Sequence, residues 1–276
     1  MKILVTNDDG MSYQGLQSLV KVLRPMGDLV VIPPKFHQSG ASMAVTMGMK
    51  PIAVKKVSEK PGEQWWYVDA TPSSCVKWAL DEIYTDGLPD LVVSGVNHGA
   101  NAASAILYSG TAGAAKEGAL AGVLSIAVSL DKFARDADFS AVEELLPGII
   151  EKIIATHDGK FGCWYNVNFP YLPVNQIKGV TLAAQGTQHW LKEFRPYDYE
   201  LSKKIGILAD NLDLSGKPLA EEGEKIVVMA GDLTGDPHNN EESDCILLEQ
   251  GYITVSVHKL DTTDYEELDR LRRIWQ

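Results

Sequence analysis

Four apolar runs that do not alternate with polar residues constrain this chain more than any other feature. They are Ile3-Leu4-Val5, Leu29-Val30-Val31-Ile32, Leu91-Val92-Val93 and the stretch from Val123 to Ser129. A strand with one face in water alternates apolar and polar side chains. An unbroken run fits a strand covered on both faces, as in parallel sheets. Between the runs lie stretches with helical spacing. Tyr13 to Pro25 places Leu16, Leu19, Val20 and Leu23 on one face. Thr71-Pro72 supplies an N-cap and a first-turn proline for a helix reaching about Tyr84. Gly110 to Gly122 reads as a small-residue helix, and Ala141 to Thr156 as an amphipathic one. Alternating strands and helices predict an α/β fold, a mostly parallel sheet with helices on both faces. The strands are expected at Lys2–Thr6, Asp28–Ile32, Asp90–Ser94 and Val123–Ser129.

Two segments depart from that rhythm. Ile52–Val57 and Trp65–Val68 predict a strand pair around Lys60-Pro61-Gly62, preceded by a long polar loop from Lys35 to Gly48. Beyond about Gly186, aromatic and charged residues mix from Trp190 to Tyr199 and a polar span follows to Glu224. Strand-like runs then come at Lys225–Met229 and Tyr252–Val257, with a short charged helix near the end. Neither late strand has an evident parallel partner. The chain therefore divides into a main domain, 1–185, and a C-terminal extension of strands and a short helix, 186–276, that packs on that domain or on another subunit.

Composition narrows the function. The 276 residues carry a net charge of -12, which opposes non-specific binding to a nucleic-acid duplex. A small anion held through a cation remains compatible with it. Cys75, Cys163 and Cys245 form no CxxC pattern, so neither a disulfide framework nor a zinc site is indicated. No run approaches the eighteen or so apolar residues of a spanning helix, and a signal-like start is interrupted by Asn7-Asp8-Asp9. A reducing cytoplasm and no membrane association are the expectation.

In an open parallel sheet, ligands bind beyond the carboxyl ends of the strands. Three polar clusters fall there or shortly after: Asn7-Asp8-Asp9-Gly10, His37-Gln38-Ser39-Gly40, and Ser94 through Asn101. Adjacent carboxylates repel each other and resist burial. Asp8 and Asp9 therefore form either a solvated turn or a grip on a divalent cation. With Ser39 and with Asn97 or Asn101, the donors would be all oxygen, which suits magnesium, manganese or calcium. Tyr108-Ser109-Gly110-Thr111 opens the small-residue helix. There Ser109 acts as a plain cap, or the free N–H groups and hydroxyls cradle an anion. GxxxxGK[ST] is absent, as is GxGxxG after the first strand, which disfavours a P-loop or a dinucleotide oxidoreductase. The acids also lack the DxDx[TV] spacing of an aspartate nucleophile.

VTNDDG, HQSGAS, SGVNHGAN and YSGTAGAAKEG, in that order, closely resemble motifs of the survival protein SurE family of metal-dependent nucleotidases. VDATPSSCV, NVNFP (Asn166 to Pro170), Ser243-Asp244 and GYITVS extend the resemblance over most of the chain. It implies a Rossmann-like main domain, and an extension exchanged between subunits of a homodimer or homotetramer. The implied reaction is hydrolysis of nucleoside 5'-monophosphates, with 3'-monophosphates as a second class, by a metal-activated water. Carried over by motif, Asp8, Asp9, Ser39 and Asn97 would hold one magnesium or manganese ion per subunit. Asp8 and Asp9 would be catalytic, while Asn101, Ser109, Gly110 and Thr111 would border the phosphate. Ala103, Ala105, Ala70 and Ser74 stand where the family commonly has Gly, Asp, Gly and Asp. The competing reading is a non-catalytic nucleotide- or metal-binding protein on the same sheet.

Overall fold

The computed structural model describes residues 1–48, 50–200, 220–229 and 231–275. Most of the polar span between Tyr199 and Glu224 lies outside the described residues. The chain begins with β1 (Lys2–Thr6), α1 (Gln14–Leu23), β2 (Asp28–Val31), β3 (Val54–Lys60), β4 (Glu63–Val68), α2 (Pro72–Glu82) and β5 (Leu91–His98). There follow α3 (Ala105–Tyr108), α4 (Gly110–Leu120), β6 (Leu124–Leu130), α5 (Ser140–Thr156), β7 (Cys163–Phe169) and β8 (Val180–Leu182). Short strands β9 (His189–Leu191), β10 (Phe194–Pro196), β11 (Val227–Met229) and β12 (Asp232–Thr234) come next. The chain closes with α6 (Asp244–Glu249), β13 (Ile253–Lys259) and α7 (Tyr265–Ile274).

Among the described residues the main sheet has nine strands in the order β3-β4-β2-β1-β5-β6-β7-β13-β8. From β4 to β7 every neighbouring pair is parallel. The unbroken apolar runs form its middle: Ile3, Leu4, Val5, Leu91, Val92 and Val93 have no exposed surface. Odd and even positions serve different layers. Ile3, Val5, Leu91 and Val93 pack with Leu16, Leu19 and Leu23 of α1 and Leu146 and Ile150 of α5. Leu4 and Val92 pack on the other face with Val76 and Ala79 of α2 and Ala114 of α4. Burying each such Leu, Ile or Val contributes roughly 1.5–3 kcal/mol. Small residues let α4 lie close to the sheet, and a Cβ on Gly118 would stand 2.5 Å from Ser125 Oγ.

The late strand does find partners. β13 pairs antiparallel with β7, with Ser256 opposite Asn166, and parallel with β8. Two separate ribbons, β9–β12 and β10–β11, stand outside the main sheet. β1 has β2 on one side and β5 on the other, so the chain reverses its direction of travel across the sheet at the β1–β5 gap. In open α/β sheets that switch point is where ligands bind.

Candidate active site

The residues following β1 turn sharply under the control of one buried side chain. Asn7 Oδ1 accepts the Gly10 N–H at 3.1 Å, while Asn7 Nδ2 donates to the Gly10 carbonyl at 3.1 Å. Gly10, at φ 104°, supplies the positive φ that this closure needs. The result presents two neighbouring carboxylates that are 3% and 5% exposed. The solvated-turn reading therefore fails on burial.

Three other segments meet this pair. Gln38 N–H donates to the Asp8 carbonyl at 2.8 Å, which draws in the loop after β2. His37 Nδ1 then lies 3.3 Å from Asp9 Oδ1, and its Nε2 lies 2.7 Å from Ser39 Oγ. Ser39 thus reaches Asp9 through an imidazole. From β5, an irregularity in the pairing with β6 between Ser94 and Asn97 re-aims the strand end. Asn97 Nδ2 donates to the Gly99 carbonyl at 2.8 Å, leaving its Oδ1 3.5 Å from Thr111 Oγ1. Thr111 Oγ1 in turn donates to Asp8 Oδ1 at 2.7 Å.

The last wall is the start of α4. Ser109 caps it, accepting the Ala112 N–H at 3.0 Å. Gly110 allows the helix to approach, since a Cβ there would stand 2.9 Å from Asp8 Cβ. The cap leaves the first N–H groups of α4 available to an anion at the positive end of the helix. Asp8, Asp9, Asn97, Gly110 and Thr111 are therefore brought together, with Ser109 beside them. Asn101 is placed differently. It is buried, its Nδ2 donates to Ser129 Oγ at 2.8 Å, and its backbone N–H donates to Asn168 Oδ1 at 2.8 Å.

Burial and the charge of Asp9 push the Asp8 carboxyl up to about 6, against the hydrogen bond from Thr111 and the charge of His37. Its hydrogen bond to Asp9 leads in raising the pKa of His37, and the two carboxylate charges add to it, while burial opposes. The pocket thus holds more negative charge than its own residues balance. Asp9 Oδ2 is buried without a hydrogen-bond partner. A divalent cation fits that orphaned oxygen and the oxygen donors around it. Among the described residues no three His, Cys, Asp or Glu side chains are grouped to hold a metal ion, so neutral oxygens would have to complete the set.

His37 is named in the sequence only as part of its polar cluster, and neither it nor Tyr13 is assigned a role there. The Tyr13 ring stacks on His37 with centroids 5.7 Å apart. Arg135 Nη2 donates to the Tyr13 hydroxyl at 2.8 Å. The signal for His37 was its place two residues before Ser39; for Tyr13 there was none. A separate cleft of about 540 Å³ lies at the amino ends of the strands, lined by Lys2, Asp28, Lys60, Glu63 and Tyr84. Its most buried acid, Glu63, is already paired with Arg24 and Lys60.

A family model described as Survival protein SurE matches residues 3–192, carrying every residue of the carboxylate pocket. The chain belongs to the SurE family. It is 33% identical over 273 residues to the 5'-nucleotidase SurE of Syntrophomonas wolfei subsp. wolfei, covering 99% of this chain and 94% of that one. Identity to the 5'-nucleotidase SurE of Syntrophobacter fumaroxidans is 35% over 271 residues, covering 98% of both. The crystal structure of the SurE protein from Aquifex aeolicus superposes with a TM-score of 0.77, at 27% identity and full coverage of both chains. The Rossmann-like architecture is therefore that of the family.

Two departures from the family's usual residues have local explanations. Ser74 Oγ accepts the Thr46 N–H at 2.8 Å and lies 2.9 Å from Thr71 Oγ1, tying the loop after β2 to the start of α2. A serine serves there as the acceptor. Ala103 has φ 49°, a left-handed conformation that a glycine adopts without a Cβ penalty.

Proposed function

We propose that this protein is a metal-dependent phosphomonoesterase that hydrolyses nucleoside 5'-monophosphates, with 3'-monophosphates as a second class, to nucleoside and phosphate. The observation that carries the reading is the buried Asp8–Asp9 pair facing the start of α4, with Asp9 Oδ2 orphaned. Relatives that match nearly the whole chain are named 5'-nucleotidases.

Asp8, Asp9 and Asn97 would hold one divalent cation per subunit, magnesium or manganese, with Ser39 joining them once its hydroxyl turns from His37. Such an ion offsets phosphate charge and lowers the pKa of water. The chain's own groups do the rest. The open N–H groups of α4 and the Thr111 hydroxyl meet the phosphoryl oxygens, where negative charge is spread during transfer. Ser109 keeps the helix start in register, and Asn101, its side-chain amide held by Ser129, borders the phosphate only through the loop after β5 that it anchors. Asp8 or Asp9 orients the attacking water or receives its proton. His37, between Asp9 and Ser39, fixes the orientation of both.

The division at 185/186 and a homodimer or homotetramer belong to the same proposal. Both ribbons carry exposed apolar residues: Phe194 is 68% exposed and Met229 70% on β10–β11, and Leu191 47% and Leu233 52% on β9–β12. Isolated two-stranded ribbons are marginal in water, which supports a second subunit as their cover. Trp190 on β9 then serves packing more readily than base stacking. A cytoplasmic location completes the reading, and no helix among the described residues is long and apolar enough to cross a membrane.

The test is phosphate release from a panel of nucleoside 5'- and 3'-monophosphates, after chelation and again with magnesium or manganese restored. Release that requires the metal is expected. Stoichiometric nucleotide binding without release, under either ion, would replace the enzyme by a binding protein.

A further inference from the structure

Two motifs, NVNFP and Ser243-Asp244, contribute nothing directly to the carboxylate pocket. Both converge on the loop between β5 and α3. Asn168 Oδ1 accepts the Asn101 N–H at 2.8 Å, and Asn166 Nδ2 donates to the Asn101 carbonyl at 2.9 Å. Two residues on, the Ala103 N–H lies 3.1 Å from both carboxylate oxygens of Asp244. Asp244 is fully buried, and its Oδ1 also accepts the N–H groups of Gly186 at 2.9 Å and Cys245 at 2.8 Å. Oδ1 faces three N–H donors and Oδ2 faces one of them, that of Ala103, so an amide would keep the Oδ1 contacts but set an NH2 group against the Ala103 N–H. A Cβ on Gly186 would stand 2.7 Å from Cys245 Sγ and 3.2 Å from Asp244 Oδ1, so the approach needs glycine.

The residue so gripped is Ala103, the L-residue held left-handed. We infer that Asp244 is a positioning residue for the proposed reaction: by clamping Ala103, it fixes the loop that carries Asn101 and, through α3, delivers Ser109 and Gly110 to the phosphate. Carboxylate and strained residue belong together. Without the grip, the loop relaxes toward conformations that an alanine prefers, and α3 loses its reference point. This role rests on the nucleotidase reading above.

The experiment compares wild type, Asp244→Asn, Ala103→Gly and the double variant. Steady-state phosphate release is measured together with amide exchange across residues 101–108 in metal-free protein. In wild type the Ala103 amide is expected to be among the slowest to exchange in the loop. Asp244→Asn should accelerate exchange there and lower kcat/KM about tenfold or more, because small misplacements of binding groups are costly. Adding Ala103→Gly should recover about fivefold of that loss, because glycine has no left-handed penalty. A carboxylate needed only for stability would lower Tm, leave kcat/KM intact below it, and give no recovery; that pattern overturns the inference. Should Asp244→Asn not fold, fast exchange of the Ala103 amide in wild type would overturn it, and slow exchange would sustain it. Inactive wild type would remove the nucleotidase reading, while the exchange data would still judge the clamp.

Discussion

Gly110→Ala separates the needs of the site from those of the fold. In isolation the change favours the helix, since glycine is about 0.8–1.0 kcal/mol worse than alanine in a helix interior and less so at its first position. The added Cβ, however, would lie 2.9 Å from Asp8 Cβ, 3.0 Å from Asp8 Oδ2 and 3.2 Å from Pro72 Cγ. Ordinary carbon contacts are roughly 3.5–4.0 Å, so α4 and Asp8 must part by about 0.6–1.1 Å. The cost of such overpacking is typically about 1–3 kcal/mol, which the helix gain partly offsets. Net stability should therefore fall by no more than about 3 kcal/mol. Catalysis should suffer far more. The same displacement breaks the 2.7 Å bond from Thr111 to Asp8 and withdraws the start of α4 from the phosphate. A misplacement near 1 Å can lower the rate about a hundredfold. Calorimetry and phosphate-release kinetics on one preparation decide the matter. A variant with wild-type kcat would refute the claim that α4 and Asp8 act as one unit.

Asp8→Asn should remain folded, because it removes a charge from a crowded pocket, yet lose activity by orders of magnitude; near-normal turnover would end the assignment. Glu63 supplies a pH-dependent prediction away from the site. Burial works against its charge, but hydrogen bonds from Arg24, Trp65 and Lys60 hold its carboxyl at about 2, below the usual 4.5. The folded pKa lies below the unfolded one, so this stabilisation is full above pH 4.5 and is lost as pH falls from there through 2. Glu63→Gln should accordingly cost about 1.5–3 kcal/mol at pH 7 in urea titrations, with the gap closing toward pH 2. An equal gap at both pH values would show that the ion pairs contribute nothing.

The parallel strands were legible because their burial on both faces leaves unbroken apolar runs in the sequence. β7 was not, although its core-facing residues are apolar. Its sequence, Cys-Trp-Tyr-Asn-Val-Asn-Phe, sends Tyr165, Val167 and Phe169 toward α1 and α5 and the fully buried Asn166 and Asn168 to the other face. A buried polar face reads in sequence like a solvent face. Thr254 and Ser256 of β13 continue that polar bed, so missing β7 also left β13 without a partner. The acidic pair and the start of α4 were legible as residue types at strand and helix ends. The link from Asp9 through His37 to Ser39 was not, because it depends on how a long loop folds back. The left-handed Ala103 was visible as a departure, but its reason required the coordinates of Asp244.

The place of β13 also bears on how the chain is made. A ribosome delivers β7 well before β13, and at roughly 5–20 residues per second the interval is several seconds. Until then β7 is an open edge, with unpaired backbone groups and side-chain amides facing water. That edge invites pairing with another nascent chain, and a product truncated before Ile253 would keep it permanently. The acidic pair after β1 is made strands away from this edge, but the loop carrying Asn101 rests on Asn166 and Asn168 of β7 and on Asp244, so the late segment that closes the edge arrives together with the one that completes the site.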